Sequence, residues 1–150
     1  MKKKTIPDRV SQIPPDYVYL TPIAKKTFGI VDDKTEDRDK ERPYLALKYF
    51  DSSWECFSDW NQSELKNFSA FIDKLKIMNW RQVLESPGFG YKLHKNRNQL
   101  PNKGMAIREV SPDISASEIR VTQRVRIHGF RINSAYFLVW LDKDHRVFKQ

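Results

Sequence analysis

Residues 119–141 read Ile119-Arg-Val-Thr-Gln-Arg-Val-Arg-Ile-His128-Gly-Phe-Arg-Ile-Asn133-Ser-Ala-Tyr-Phe-Leu-Val-Trp-Leu141, and their patterning decides the fold class. In the first half the period is two: Ile119, Val121, Val125 and Ile127 share one face, while Arg120, Thr122, Arg124, Arg126 and His128 share the other. That alternation predicts a half-buried strand with a basic outer face. Asn133-Ser134 is suited to a turn, and 135–141 is apolar on both faces, as expected of a central strand. Asp142-Lys143-Asp144-His145 ends it, and Val147-Phe148 is a candidate short edge.

Working outward, Leu65, Phe68, Ile72, Leu75 and Met78 recur at three- and four-residue intervals behind Ser63, which predicts a capped helix with one apolar stripe. Asn79 with Gln82 three residues on resembles a capping box, so a second short helix carrying Trp80, Val83 and Leu84 should run up to Pro87-Gly88. Upstream, the apolar run 44–50, bounded by Pro43 and Asp51, predicts the first strand. Residues 86–118 are rich in glycine and proline; Tyr91-Lys-Leu-His94 and Met105-Ala-Ile-Arg108 are short-strand candidates within a loop. The order strand, one or two helices, then antiparallel strands defines an α+β domain over 43–150. Pro7, Pro14, Pro15 and Pro22 predict an extended arm, packed through Ile13, Tyr17, Tyr19 and Phe28, and 32–41 lacks any apolar residue, so 1–42 reads as arm plus solvated loop.

A chain of 150 residues with 39% hydrophobic side chains and 19 aromatics has the material for one buried core, which excludes wholesale disorder. Cys56 is the single cysteine, so no internal disulfide and no thiolate zinc site can form. The basic start Met1-Lys-Lys-Lys4 is followed by no apolar run, and no stretch of about 18 apolar residues offers a membrane span. The expectation is a soluble cytoplasmic protein.

The formal charge is +8, and residues 86–131 hold nine basic against three acidic residues, so most of the excess lies in under a third of the chain. Guanidinium groups fork onto phosphate oxygens, and alternate strand residues sit roughly 6.6–6.8 Å apart, close to nucleotide spacing in an extended strand. Arg120, Arg124 and Arg126 are therefore candidates to track a nucleic-acid backbone, supported by Arg131 and by the loop residues Lys92, His94, Lys95 and Arg97. The alternative is a solvated sheet face whose arginines pair with acidic neighbours. Trp54, Phe57 and Trp60 suit either base stacking or one buried face; Trp54 is the ring to choose if one is exposed.

His128 projects from the same strand face as Arg124 and Arg126, where it is placed to exchange a proton at a phosphodiester whose charge the arginines stabilise. His94 lies in the basic loop. Asp142, Asp144 and His145 form either a turn or a divalent-metal cluster, the former being the simpler reading. No phosphate loop, dinucleotide turn, zinc helix or nucleophile elbow occurs, so no cofactor is implied and any catalysis must be assembled from scattered residues.

The tail Arg124-Val-Arg-Ile-His-Gly-Phe-Arg131, with the apolar strand running to Asp144-His145, resembles the end of RelE/HigB-like toxin domains. With the order strand, helical pair and arginine-bearing antiparallel strands, the resemblance spans residues 44–148. It implies mRNA cleavage, commonly on the ribosome, with Arg124 and Arg126 on phosphate and His128 or His145 moving the 2′-hydroxyl or leaving-group proton. The sequence thus leads to RNA or the ribosome as partner and to a metal-independent toxin- or defence-type endoribonuclease. The competing expectation is a non-catalytic module that docks an acidic, antitoxin-like or other protein through the same basic patch.

Overall fold

The computed structural model describes residues 38–147; the predicted arm, most of the charged loop and Phe148 lie outside the described residues. The chain forms strand β1 (Tyr44–Ala46), helices α1 (Gln62–Leu75) and α2 (Trp80–Glu85), strand β2 (Lys92–Leu93), a short helix α3 (Met105–Arg108) and strands β3 (Ser117–Arg120), β4 (Arg126–Ile132) and β5 (Ala135–Asp142). The strands make one sheet in the order β1-β5-β4-β3-β2, with β1 parallel to β5 and the other pairs antiparallel. This is an α+β architecture, as expected, although the sheet is mixed rather than purely antiparallel.

Both main helices start where short polar side chains can satisfy the first amides. Asn79 accepts the Gln82 amide at 2.8 Å while Gln82 accepts the Asn79 amide at 2.9 Å. Helix α1 begins on Asn61 rather than on Ser63, through the equivalent exchange with Glu64. That start leaves the buried stripe as Phe68, Phe71 and Leu75, with Leu65 and Ile72 exposed instead of inward. Met105–Arg108, a strand candidate, is helical.

The largest departure lies in 119–128. One continuous strand was the expectation; the chain instead reverses between β3 and β4, so Arg120 stands in register with Arg126. Thr122 makes the reversal: its hydroxyl oxygen accepts the Arg124 and Val125 amides, and the Val121 and Thr122 amides donate to the Val125 carbonyl. Further along, β5 carries one extra residue, Val139, between the pairs His128–Trp140 and Gly129–Leu138. Its carbonyl accepts the Asp51 amide at 2.9 Å, and Gly129 sits so close to the bulge that a Cβ there would lie 1.8 Å from the Phe137 carbonyl oxygen.

Each sheet face has its own core. Phe68, Phe71, Leu75, Trp80 and Val83 of the helices bury Ile119, Ile127, Tyr136, Leu138 and Leu141. On the opposite face Leu100, Ile107, Ile114 and Val147 cover Phe130, Ile132 and Trp140. The glycine- and proline-rich segment and the chain after β5 thus form a lid over the face that the sequence assigned to solvent. Arg97 fastens this lid by donating from both terminal nitrogens to the Pro112 and Ile114 carbonyls. At the other end of the described chain, buried Asp39 accepts from Arg131 at 2.6 Å, so packed structure begins before Pro43.

Candidate functional site

Under the lid three polar side chains from three distant stretches line up. His94, just beyond β2, brings Nε2 to 2.9 Å from Nδ1 of His128 on β4, and His128 Nε2 lies 2.9 Å from Asp142 Oδ2 at the end of β5. Asp142 also accepts the Arg146 amide at 2.7 Å and the Val147 amide at 3.2 Å, which ties the turn after β5 to the row. Burial pushes the Asp142 carboxyl up, but the hydrogen bond from His128, the two amides and the His128 charge outweigh it and hold the group below its ordinary value.

An ionised carboxylate only accepts, so when His128 is neutral its proton belongs to Nε2, Nδ1 accepts, and His94 donates from Nε2. Burial, assisted by His128 and Lys92 and opposed by Asp142, drives the His94 pKa down to about 3, so the ring is neutral at physiological pH. His128 and Asp142 are fully enclosed, and His94, 9% exposed, is the outermost member.

Glu118 on β3 stands beside the row. Its Oε2 is buried without a hydrogen-bond partner, 3.8 Å from both Arg126 Nε and His145 Nε2, and Oε1 lies 3.9 Å from Lys92 Nζ. At these separations the Arg126 and Lys92 contacts are ion pairs without hydrogen bonds, and the His145 contact is one only when that ring is protonated.

The basic outer face predicted for 119–128 does not exist as a surface, because β4 is buried along its whole length. Arg126 caps the β3–β4 reversal, donating to the Thr122, Gln123 and Val125 carbonyls at 2.8, 3.0 and 3.2 Å. Burial lowers its pKa, and Arg120 opposite adds to that against Glu118 and Asp142. Arg124 is exposed and pairs with Asp144. Arg131 is enclosed, with its guanidinium 4.3 Å from the Trp80 ring centre. Arg120, Arg124 and Arg126 therefore do not form the expected track. His145 is partly exposed, Lys92 and Lys95 flank His94 in solvent, and Arg120 is half-buried.

Trp54 is not a free stacking platform: it packs on the second core, and the Arg146 guanidinium sits 4.7 Å from its ring centre. Trp60 is buried and donates to Glu55 at 2.8 Å. The metal reading of Asp142, Asp144 and His145 is corrected too, since these side chains turn to His128, Arg124 and Glu118 respectively. Among the described residues no group of three or more His, Cys, Asp or Glu is arranged to hold a metal ion. No helix among them is long and apolar enough to cross a membrane.

The union of His94 with His128, and the place of Glu118 beside them, went unread in the sequence, because partners 34 residues apart carry no spacing signal. The class defined so far is an α+β domain with a lidded sheet face and a buried imidazole–carboxylate row. Comparison with protein-family models, curated proteins and solved structures finds no match to this chain.

Proposed function

We propose that the protein binds RNA along the β2 edge of the sheet. The observation that carries this reading is the arrangement at that edge: Lys92 and Lys95 are exposed on either side of His94, in the part of the chain where basic residues most exceed acidic ones. Phosphate contacts release counterions, so affinity for a labelled single-stranded RNA in chelator should fall as salt rises. Replacing Lys92 and Lys95 together by Glu should weaken binding by about tenfold or more and flatten the salt dependence. Equal affinity of this variant and the native protein at low salt would sink the proposal. Retention of an acidic protein after nuclease treatment, with no RNA bound, would point to the docking module instead.

The His94–His128–Asp142 row favours a second reading, metal-independent cleavage of the toxin or defence type, which is also where the resemblance of 124–131 leads. The 2′-hydroxyl oxygen would form a bond to phosphorus as the P–O5′ bond breaks, giving a cyclic phosphate and a 5′-hydroxyl. His94, neutral because burial holds its pKa at about 3, would act only as a weak base for the 2′-hydroxyl proton, and the leaving oxygen would take one from water. His128 and Asp142, enclosed and out of reach of substrate, are positioning residues: they fix the His94 tautomer and spread its new charge toward a carboxylate. His94→Ala should abolish cleavage and leave retention unchanged. Intact RNA after long incubation with native protein leaves binding as the whole function.

A further inference from the structure

A second concavity lies on the helix side of the sheet. A cavity of about 440 Å³ opens between α1, the 86–89 turn and the end of β3, a size that suits a small ligand. Lys74 and Arg120 line it, and no acidic residue does. Among the described residues neither cation has a carboxylate within 4 Å, in contrast to Arg124, Arg126 and Arg131, each of which has one. Arg120 Nε is itself buried with no hydrogen-bond partner, an unfavourable state for a guanidinium.

The rest of the wall has a different character. Phe71, Phe89 and Met78 supply an apolar floor, with the two phenyl rings locked edge to face at 5.6 Å. Thr122 adds a hydroxyl whose oxygen already accepts two amides, leaving its proton to donate. An anion pole beside an apolar floor fits a phosphate joined to a flat heterocycle.

We infer that this cleft is a nucleotide site, taking phosphate on Arg120 and Lys74 and a base over Phe71, Phe89 and Met78. It rests in part on the RNA reading, since an unstacked nucleotide of a bound RNA and a free mononucleotide present the same chemistry. Calorimetry with adenosine 5′-monophosphate, adenosine and inorganic phosphate tests the cleft directly. The monophosphate should bind at least about tenfold more tightly than either fragment, and Arg120→Gln should remove about tenfold or more. Lys74→Gln, at an exposed position that cannot disturb folding much, should lower monophosphate affinity several-fold and leave adenosine affinity unchanged. No saturation by the monophosphate at millimolar concentration, or affinity indifferent to both variants, overturns the inference. Labelled RNA run in parallel separates the two readings: RNA retained without any nucleotide effect ends the cleft site alone, whereas nucleotide binding without RNA retention ends the RNA reading and leaves a free-nucleotide site.

Discussion

His94 and His128 share one hydrogen bond, 2.9 Å long, with His128 fully enclosed and His94 only 9% exposed. Two buried imidazoles in contact are stable only while at least one is neutral, and Asp142 at the far end decides where the protons sit. Acid should therefore act on this row before it acts on most of the fold.

The pH window follows from the direction of each shift. His94 titrates at about 3 when folded against 6.5 for the free side chain, so on acidification the unfolded chain takes up the proton first. Its contribution to stability is complete above pH 6.5 and is lost as pH falls from there toward 3, at a limiting slope of about 1.4 kcal/mol per pH unit. Asp142 is lowered from 3.8, so its contribution persists above that value and disappears only as pH drops through its folded pKa. Urea midpoints of native protein should fall between about pH 6 and 4, with a shallower decline in His94→Gln. Parallel profiles would show that His94 does not carry the loss.

Asp142 serves two structures at once, the imidazole row and the turn bearing Arg146 and Val147. Asp142→Asn keeps the shape but removes the charge, and should cost about 3 kcal/mol. Hydrogen exchange provides the distinguishing measurement: the Arg146 and Val147 amides should lose protection more than those of β4.

Gly129 and Gly88 make a matched pair. A methyl at 129 meets the Phe137 carbonyl, whereas at 88 the nearest atom is the Ser86 hydroxyl at 3.7 Å. Gly129→Ala should destabilise by more than about 3 kcal/mol, and Gly88→Ala should stay within about 0.5 kcal/mol. Denaturant titration of both variants checks the contrast.

Asp39 neutralises Arg131 deep in the structure. Asp39→Ala leaves a buried guanidinium with only the Asn133 carbonyl and the Trp80 face, and should cost about 3–5 kcal/mol. A loss below about 1 kcal/mol would mean that water reaches Arg131 once the carboxylate is gone.

The helices were legible because their signals are local: Asn79 and Gln82 are three residues apart, and the buried α1 residues recur within one element. The reversal at Thr122 was not, because Thr-Gln-Arg preserves the alternation of a strand and contains no glycine, proline or asparagine. Burial of Arg126 and His128 escaped for another reason. What covers them is the 96–116 segment and the turn after Asp142, and alternation reports only that two faces differ, not which is wet. The excess of basic charge was visible, but whether each cation meets solvent, a carbonyl or a carboxylate depends on contacts between distant stretches.

The pairing of β1 with β5 joins Tyr44 to Ala135 across 91 residues. On a ribosome the helices would emerge long before the strands whose Ile127, Tyr136 and Leu138 they cover, leaving Phe68, Phe71 and Leu75 without their partners until β5 has been made. Nascent chains would therefore be vulnerable to holdase chaperones and proteases until the last strand is available, and truncation before residue 135 should leave an aggregating chain rather than a smaller folded one.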